Sequence, residues 1–229
     1  MTFDKEHNTD LSKVRVFIVR HGQTSWNNLK ILQGHKDVPL NDRGLEQARF
    51  VGLRMKDLDI DEFVSSDLSR CVQTMNEITS AHREKPNFKL RYTSNLRERS
   101  MGPVEGMPLS EAKEKYGAQF KEMGETRVEL LTRLQNEWNR IIDEATSNGY
   151  TNVLICTHGG VITNFTNHLY KSCAYTLAPG LQEEDLKVPS NTSVTIIDVD
   201  KSTGKGIILR FGSAEHLHGH VETVDQDLR

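Results

Sequence analysis

Apolar residues recur along the chain in two rhythms, and each rhythm predicts a kind of element. Val14 to Val19 is a run of mostly β-branched residues around Phe17. It reads as a buried strand of a parallel sheet. Shorter runs at 63–66, 89–92, 153–157, 192–199 and 207–211 read as further strands. Between them the spacing changes to three and four. Leu45, Ala48, Gly52, Met55 and Leu58 predict a helix capped by Asn41 or Asp42. Asp67 is the expected cap of a second helix, running through Arg70 to about Ala81. A short helix is expected over 109–116. Val128, Leu131, Leu134, Trp138, Ile141, Ile142 and Ala145 form one stripe on a long helix over about 125–147, ended by Asn148-Gly149. A last helix is expected over 161–170. Residues 25–40 and 96–108 are rich in turn formers and read as loops.

Strands alternating with helices, without a repeat or a compositional break, predict one α/β domain over 14–229. Residues 1–13 are polar and read as a flexible, solvated arm. The chain has 229 residues, enough for a sizeable core. Lys plus Arg number 29 against 32 Asp plus Glu, a net charge of −3. That balance argues against a general nucleic-acid or membrane-surface binder. No apolar run approaches the ~20 residues of a membrane helix. Cys71, Cys156 and Cys173 form no framework, and the N-terminal residues lack the apolar segment of a secretory signal. The expected compartment is the cytoplasm, together with the nucleus.

The chemistry concentrates where two of the buried strands end. One ends in Arg20-His21-Gly22, the other in Thr157-His158-Gly159. Adjacent parallel strands would bring both histidines to a single crevice at the carboxyl edge of the sheet. Arginine presents a planar fork of donors to phosphate oxygens, and a neutral histidine is a nucleophile near pH 7. We therefore expect a phosphoryl group to be attacked by His21. Arg20 and Arg70 would balance the charge of a phosphomonoester, with a protonated His158 as a third donor. A hydrogen bond from the other ring nitrogen of His21 to a backbone carbonyl would fix the reactive tautomer. The leaving alkoxide needs a proton, and Glu98 or Glu105 could supply it.

In order, RHGQTSWN, QGHKDVPLNDRGLEQA, SSDLSRCVQT, LRERSMGPVEGM, THGG and NTSVTIID span residues 14 to about 199. They resemble the histidine phosphatase superfamily, in its phosphoglycerate mutase-like branch, and within it the small fungal broad-specificity phosphatases. The resemblance implies a three-layer α/β/α sandwich around a mainly parallel sheet. It implies His21 as the phosphohistidine, with Arg20, Arg70, His158 and Asn27 holding phosphate. It selects Glu98 as the acid and leaves Glu105 to shape the loop. Gln33 and Gly34 would border the phosphate; Arg99, Ser100, Met101 and Gly159 would line the substrate side. It implies no metal and no cofactor. The partner would be a small phosphorylated metabolite, not nucleic acid or membrane. Mutases of this branch resemble E-R-H-Y-G at the acid loop and carry extra substrate cations. Here the loop reads Glu98-Arg99-Ser100-Met101-Gly102, residues 103–112 hold no lysine or arginine, and 124–126 hold no arginine pair. Hydrolysis is therefore expected, with phosphoglycerate mutase as the alternative and a silent phosphate-binding module as a third reading.

Other phosphate chemistries fit less well. No cysteine is followed by arginine at the Cys-x5-Arg spacing, no Walker-type loop is present, and Asp59-Ile60-Asp61 and Asp198-Val199-Asp200 read as turns. His216, His218 and His220 alternate, but no acidic residue stands among them. They are not expected to bind a native metal. By the resemblance, His216-Leu217 would support the rim of the site.

Overall fold

The computed structural model describes residues 7–82 and 88–217. Seven strands form one sheet in the order β3-β2-β4-β1-β6-β7-β5. They are β1 (Lys13–Arg20), β2 (Glu62–Ser66), β3 (Lys89–Thr93), β4 (Asn152–Thr157), β5 (Thr176–Leu177), β6 (Val194–Asp200) and β7 (Gly206–Ser213). β1, β2, β3 and β4 run parallel, and β6 alone runs against its neighbours. The helices are α1 (Ser25–Asn28), α2 (Asp42–Met55), α3 (Ser69–Ala81), α4 (Leu109–Tyr116), α5 (Arg127–Asn148) and α6 (Gly159–Ser172).

The central strands bury both faces because their apolar side chains alternate sides and helices cover each one. Val14, Val16, Ile18, Val153 and Ile155 pack with Leu134, Trp138, Ile141 and Phe165 of α5 and α6. Phe17, Val19, Leu154 and Cys156 pack with Val51, Met55, Met75 and Ile78 of α2 and α3. The architecture is thus the expected three-layer sandwich. A third, smaller cluster of Leu32, Met101, Val104, Leu109, Ala112 and Phe120 ties the 100–122 region to the loop after α1. Among the described residues, no helix is long and apolar enough to cross a membrane.

Several local expectations are corrected. Asp67 does not cap α3; its N-cap is Leu68, without a side-chain bond. Asp37 supplies the cap from another loop, accepting from Ser69 N at 2.7 Å and Ser69 Oγ at 2.6 Å. Asp67 is instead paired with Arg97. α5 starts at Arg127 rather than about 125, and its buried face runs through Leu130, Leu134, Trp138, Ile141 and Ala145; Val128, in the first turn, lies off that face and is 76% exposed. From residue 8 on, the expected arm is anchored. Asn8 is buried and exchanges two 2.9 Å hydrogen bonds with the Asn152 side chain. The edge strand β5 and the single turn α1 lack any apolar run long enough to announce them. His218 and His220 lie outside the described residues, so the alternating histidine cluster is not described beyond His216.

Candidate active site

The pairing register of β1 and β4 sets Arg20 opposite Thr157, so both strands release their chains at one level. β2 ends at Ser66 on the other side of β4. Three strand ends therefore open into one crevice, where open α/β sheets bind ligands. His21 and His158 meet there edge to face, with ring centroids 5.2 Å apart. His21 N donates to Thr157 O at 2.9 Å, which locks the two strand ends together.

His21 Nδ1 lies 2.7 Å from Gly22 O. A carbonyl can only accept, so the proton sits on Nδ1 and the lone pair on Nε2. Gly22 N in turn donates to Thr74 Oγ1 at 3.0 Å. No side chain other than glycine fits at position 22, since a Cβ there would lie 2.5 Å from Gly44 O.

Both arginines are buried, which is rare for the residue type and needs hydrogen-bonding partners. Arg20 Nη1 donates to Pro189 O at 2.6 Å. Arg70 Nη1 and Nη2 donate to Lys36 O and Gly34 O, each at 2.9 Å. Carbonyls orient a guanidinium without cancelling its charge, so the crevice holds two fixed cationic groups. Gly159 leaves room for Arg20: a Cβ there would lie 3.0 Å from Arg20 Nε.

His158 differs from the charged donor expected. Arg70 Nε donates to its Nδ1 at 3.2 Å, and its Nε2 faces Ser66 Oγ at 2.9 Å. A nitrogen that accepts from arginine carries no proton, so this arrangement holds His158 neutral, with its hydrogen on Nε2 toward Ser66. Cys71 Sγ lies 3.5 Å from the same Nε2. Burial, together with neighbouring Cys71, pushes the Cys156 thiol well above its ordinary value. That keeps it a neutral thiol, in line with its place in the core.

Glu98 is buried beside the crevice. Its Oε1 accepts from Arg99 N at 3.0 Å and its Oε2 from Gly160 N at 3.1 Å. Gly160 belongs to the first turn of α6, where amide N–H groups have no helical partner and attract anions. The Glu98 backbone is held too, its carbonyl accepting from His35 Nε2 at 2.7 Å and Arg133 Nη2 at 3.0 Å. Glu105 shapes the loop, accepting from His35 N at 3.0 Å, Met101 N at 2.8 Å and Ser100 Oγ at 3.2 Å. Gly34 takes φ +50°, where any other side chain is strained, and a Cβ there would displace the Glu105 carboxylate.

A pocket of about 350 Å³ opens next to Glu98. Arg99, Met101, Phe120 and Gly160 line it, and the Ser100 hydroxyl donates to Glu105. Lys121 and Arg127 line it as well. These two cations flank the segment 122–126, and the carboxylates of Glu98, Glu122 and Glu125 line the same pocket. Gln33 is buried next to Gly34, whose carbonyl faces Arg70. Asn27 is buried on α1; its Oδ1 accepts from Thr24 N at 3.0 Å and its own N–H donates to Thr24 Oγ1 at 3.0 Å. The carboxamide oxygen is thus used within the turn. Ser66, Thr74, Gly160 and Pro189 were not singled out from the sequence. Only Gly160, at a helix start, carried a readable signal.

The model of the histidine phosphatase superfamily, branch 1, matches residues 16–209. The chain belongs to that family. This histidine phosphatase is 39% identical to a broad-specificity phosphatase of Saccharomyces cerevisiae, over 97% of this chain and 95% of that one. It is 35% identical to a probable phosphatase of Schizosaccharomyces pombe, over 89% and 95%. Its fold superimposes on a phosphoglycerate mutase from Bacillus anthracis with a TM-score of 0.73, at 25% identity, over 90% of this chain and 96% of that one. The convergence of histidines, arginines and a glutamate is consistent with hydrolase activity of the family's kind on small phosphorylated molecules.

Proposed function

We propose that this histidine phosphatase hydrolyses phosphomonoesters in two steps through His21. The observation that carries the reading is the 2.7 Å bond from His21 Nδ1 to Gly22 O, which directs the lone pair of the ring to Nε2, in a crevice whose charged groups include the buried Arg20 and Arg70. In the first step Nε2 forms a bond to phosphorus and the ester oxygen departs with a proton from Glu98. In the second, water attacks phosphorus, Glu98 takes a proton from that water, and Nε2 leaves with its lone pair. Arg20, Arg70 and the Asn27 amide hold the three equatorial oxygens, so catalysis is chiefly positioning and charge stabilisation. His158 stays beside His21 and steadies Arg70 through its Nδ1. No step calls for a metal ion, because fixed guanidiniums perform the charge neutralisation. Among the described residues, no three His, Cys, Asp or Glu side chains converge as a cation site.

The substrate end is read more broadly. The 350 Å³ pocket next to Glu98 has room for a small metabolite. The likeness to a broad-specificity phosphatase of Saccharomyces cerevisiae supports wide acceptance. A mutase reading is favoured by one observation, the Lys121 and Arg127 side chains at the pocket, which suit a phosphorylated acid; Glu122 and Glu125 line the same space, and Arg99 Nη1 donates to Met123 O and Glu125 O. Two assays separate the readings. Hydrolysis predicts p-nitrophenyl phosphate turnover that is abolished in His21→Ala. A mutase primed with bisphosphoglycerate would isomerise 3-phosphoglycerate faster than it releases phosphate. A silent binding module would do neither.

A further inference from the structure

The segment between α6 and β6 clamps the reacting strand end from behind. Thr192 N donates to Arg20 O at 3.0 Å and approaches His21 O at 3.4 Å. Asn191 Nδ2 donates to His21 O at 2.9 Å, and Arg20 N donates to Ser193 O at 3.2 Å. The backbones of both phosphate-pocket residues thus hang on residues 191–193. Thr192 makes this contact at φ +56°, a region that β-branched residues avoid. A strained backbone persists only where its surroundings over-determine it.

What over-determines it comes from the far end of the chain. Thr192 Oγ1 donates to Asn191 O at 2.8 Å and sits 3.2 Å from His216 Nε2. On the other side of that ring, Arg54 Nη1 lies 2.9 Å from His216 Nδ1. Arginine only donates, so Nδ1 accepts and the ring proton sits on Nε2, directed at Thr192. Every donor and acceptor in the chain then has one direction: Arg54 to His216, His216 to Thr192, Thr192 to Asn191. Thr192 and His216 are both buried, and Arg54 is anchored further by Ser213 Oγ at 3.2 Å. The far end of the relay is α2, and the near end is Asn191 O; the Asn191 side chain and Thr192 N then hold the carbonyls of His21 and Arg20.

We propose that His216 is a positioning residue for the reaction: through Thr192 it holds the Arg20-His21 backbone at the place where Nε2 attacks. It touches no substrate. The inference rests on the phosphohistidine reading above. A misplacement of the nucleophile affects the rate of the chemical step more than the binding of substrate.

The test is steady-state turnover of p-nitrophenyl phosphate by four variants of the full chain. His216→Ala is expected to lower kcat about tenfold with KM within about twofold. His216→Gln, which can donate to Thr192 and accept from Arg54, is expected to restore most of that loss. Thr192→Val keeps the shape and removes the hydroxyl, so it is expected to lose as much as His216→Ala. The double variant His216→Ala/Thr192→Val is expected to lose no more than either alone. Unchanged kcat in Thr192→Val, or losses that multiply in the double variant, would overturn the proposal. Thr192→Val also decides the matter should His216→Ala fail to fold. Wild-type protein that does not turn over the substrate would instead count against the hydrolase reading itself.

Discussion

Replacing Glu98 by glutamine separates its chemical role from its structural one. Each carboxylate oxygen now accepts one backbone N–H, from Arg99 and from Gly160. Glutamine offers one oxygen and one NH2, so one of those two N–H groups must face a donor. A buried donor left unsatisfied costs about 1–3 kcal/mol. For a chain of this size each kcal/mol lowers Tm by roughly 2–4 °C, so a fall of about 2–12 °C is expected in thermal unfolding. The catalytic loss follows a different logic. A general acid contributes about 10²–10⁴-fold where the leaving oxygen needs a proton. From glycerol 3-phosphate the leaving group is the glycerol alkoxide, so this substrate should lose that factor in kcat/KM. p-Nitrophenyl phosphate leaves as a stabilised phenolate and should lose less than about tenfold. The parameter kcat/KM is chosen because it ends with departure of the leaving group and omits the later attack of water. Equal losses on the two substrates would refute Glu98 as the acid. An unchanged Tm would refute the two-bond account of its burial.

Arg91 serves the buried carboxylates of Glu62 and Glu137 at the sheet edge. Arg91→Met should lower the unfolding free energy in urea by about 3–5 kcal/mol, because both carboxylates then lose a buried partner; a loss under about 1 kcal/mol would contradict this. The Arg97 guanidinium beside Asp67 holds its carboxyl below the usual carboxylate range. Its folded value is lower than its unfolded one, so the stabilisation is complete above the unfolded pKa, near 4, and fades as pH falls through the folded one. Asp67→Asn should therefore be less stable than wild type at pH 7, with the gap narrowing toward pH 3; a constant gap would contradict the linkage. Activity should withstand prolonged EDTA treatment, and loss in chelator with recovery on adding a divalent cation would overturn the charge-neutralising role given to Arg20 and Arg70.

Much of the fold could be read before its coordinates. The buried strands β1 and β4 declare themselves because both faces are covered, leaving unbroken apolar runs that end in the same His-Gly step. Helices α2 and α4 were legible from spacing and caps. What failed had a physical reason in each case. The cap of α3 is given by Asp37, distant in sequence, so no local pattern could reveal it. The pocket cations Lys121 and Arg127 flank the segment searched for an arginine pair, and only folding brings them round one cavity. The neutral state of His158 depends on the direction from which Arg70 Nε approaches. Residue identities gave both rings and both guanidiniums; the direction of each hydrogen bond required the structure.

The central claim is that phosphorus passes onto Nε2 of His21. The direct measurement mixes enzyme with a radiolabelled phosphomonoester, quenches in alkali within one turnover, and maps the label by peptide. The account predicts a base-stable, acid-labile phosphate on the peptide containing His21, absent from His21→Ala. Label on another residue, or turnover that survives in His21→Ala, would contradict it.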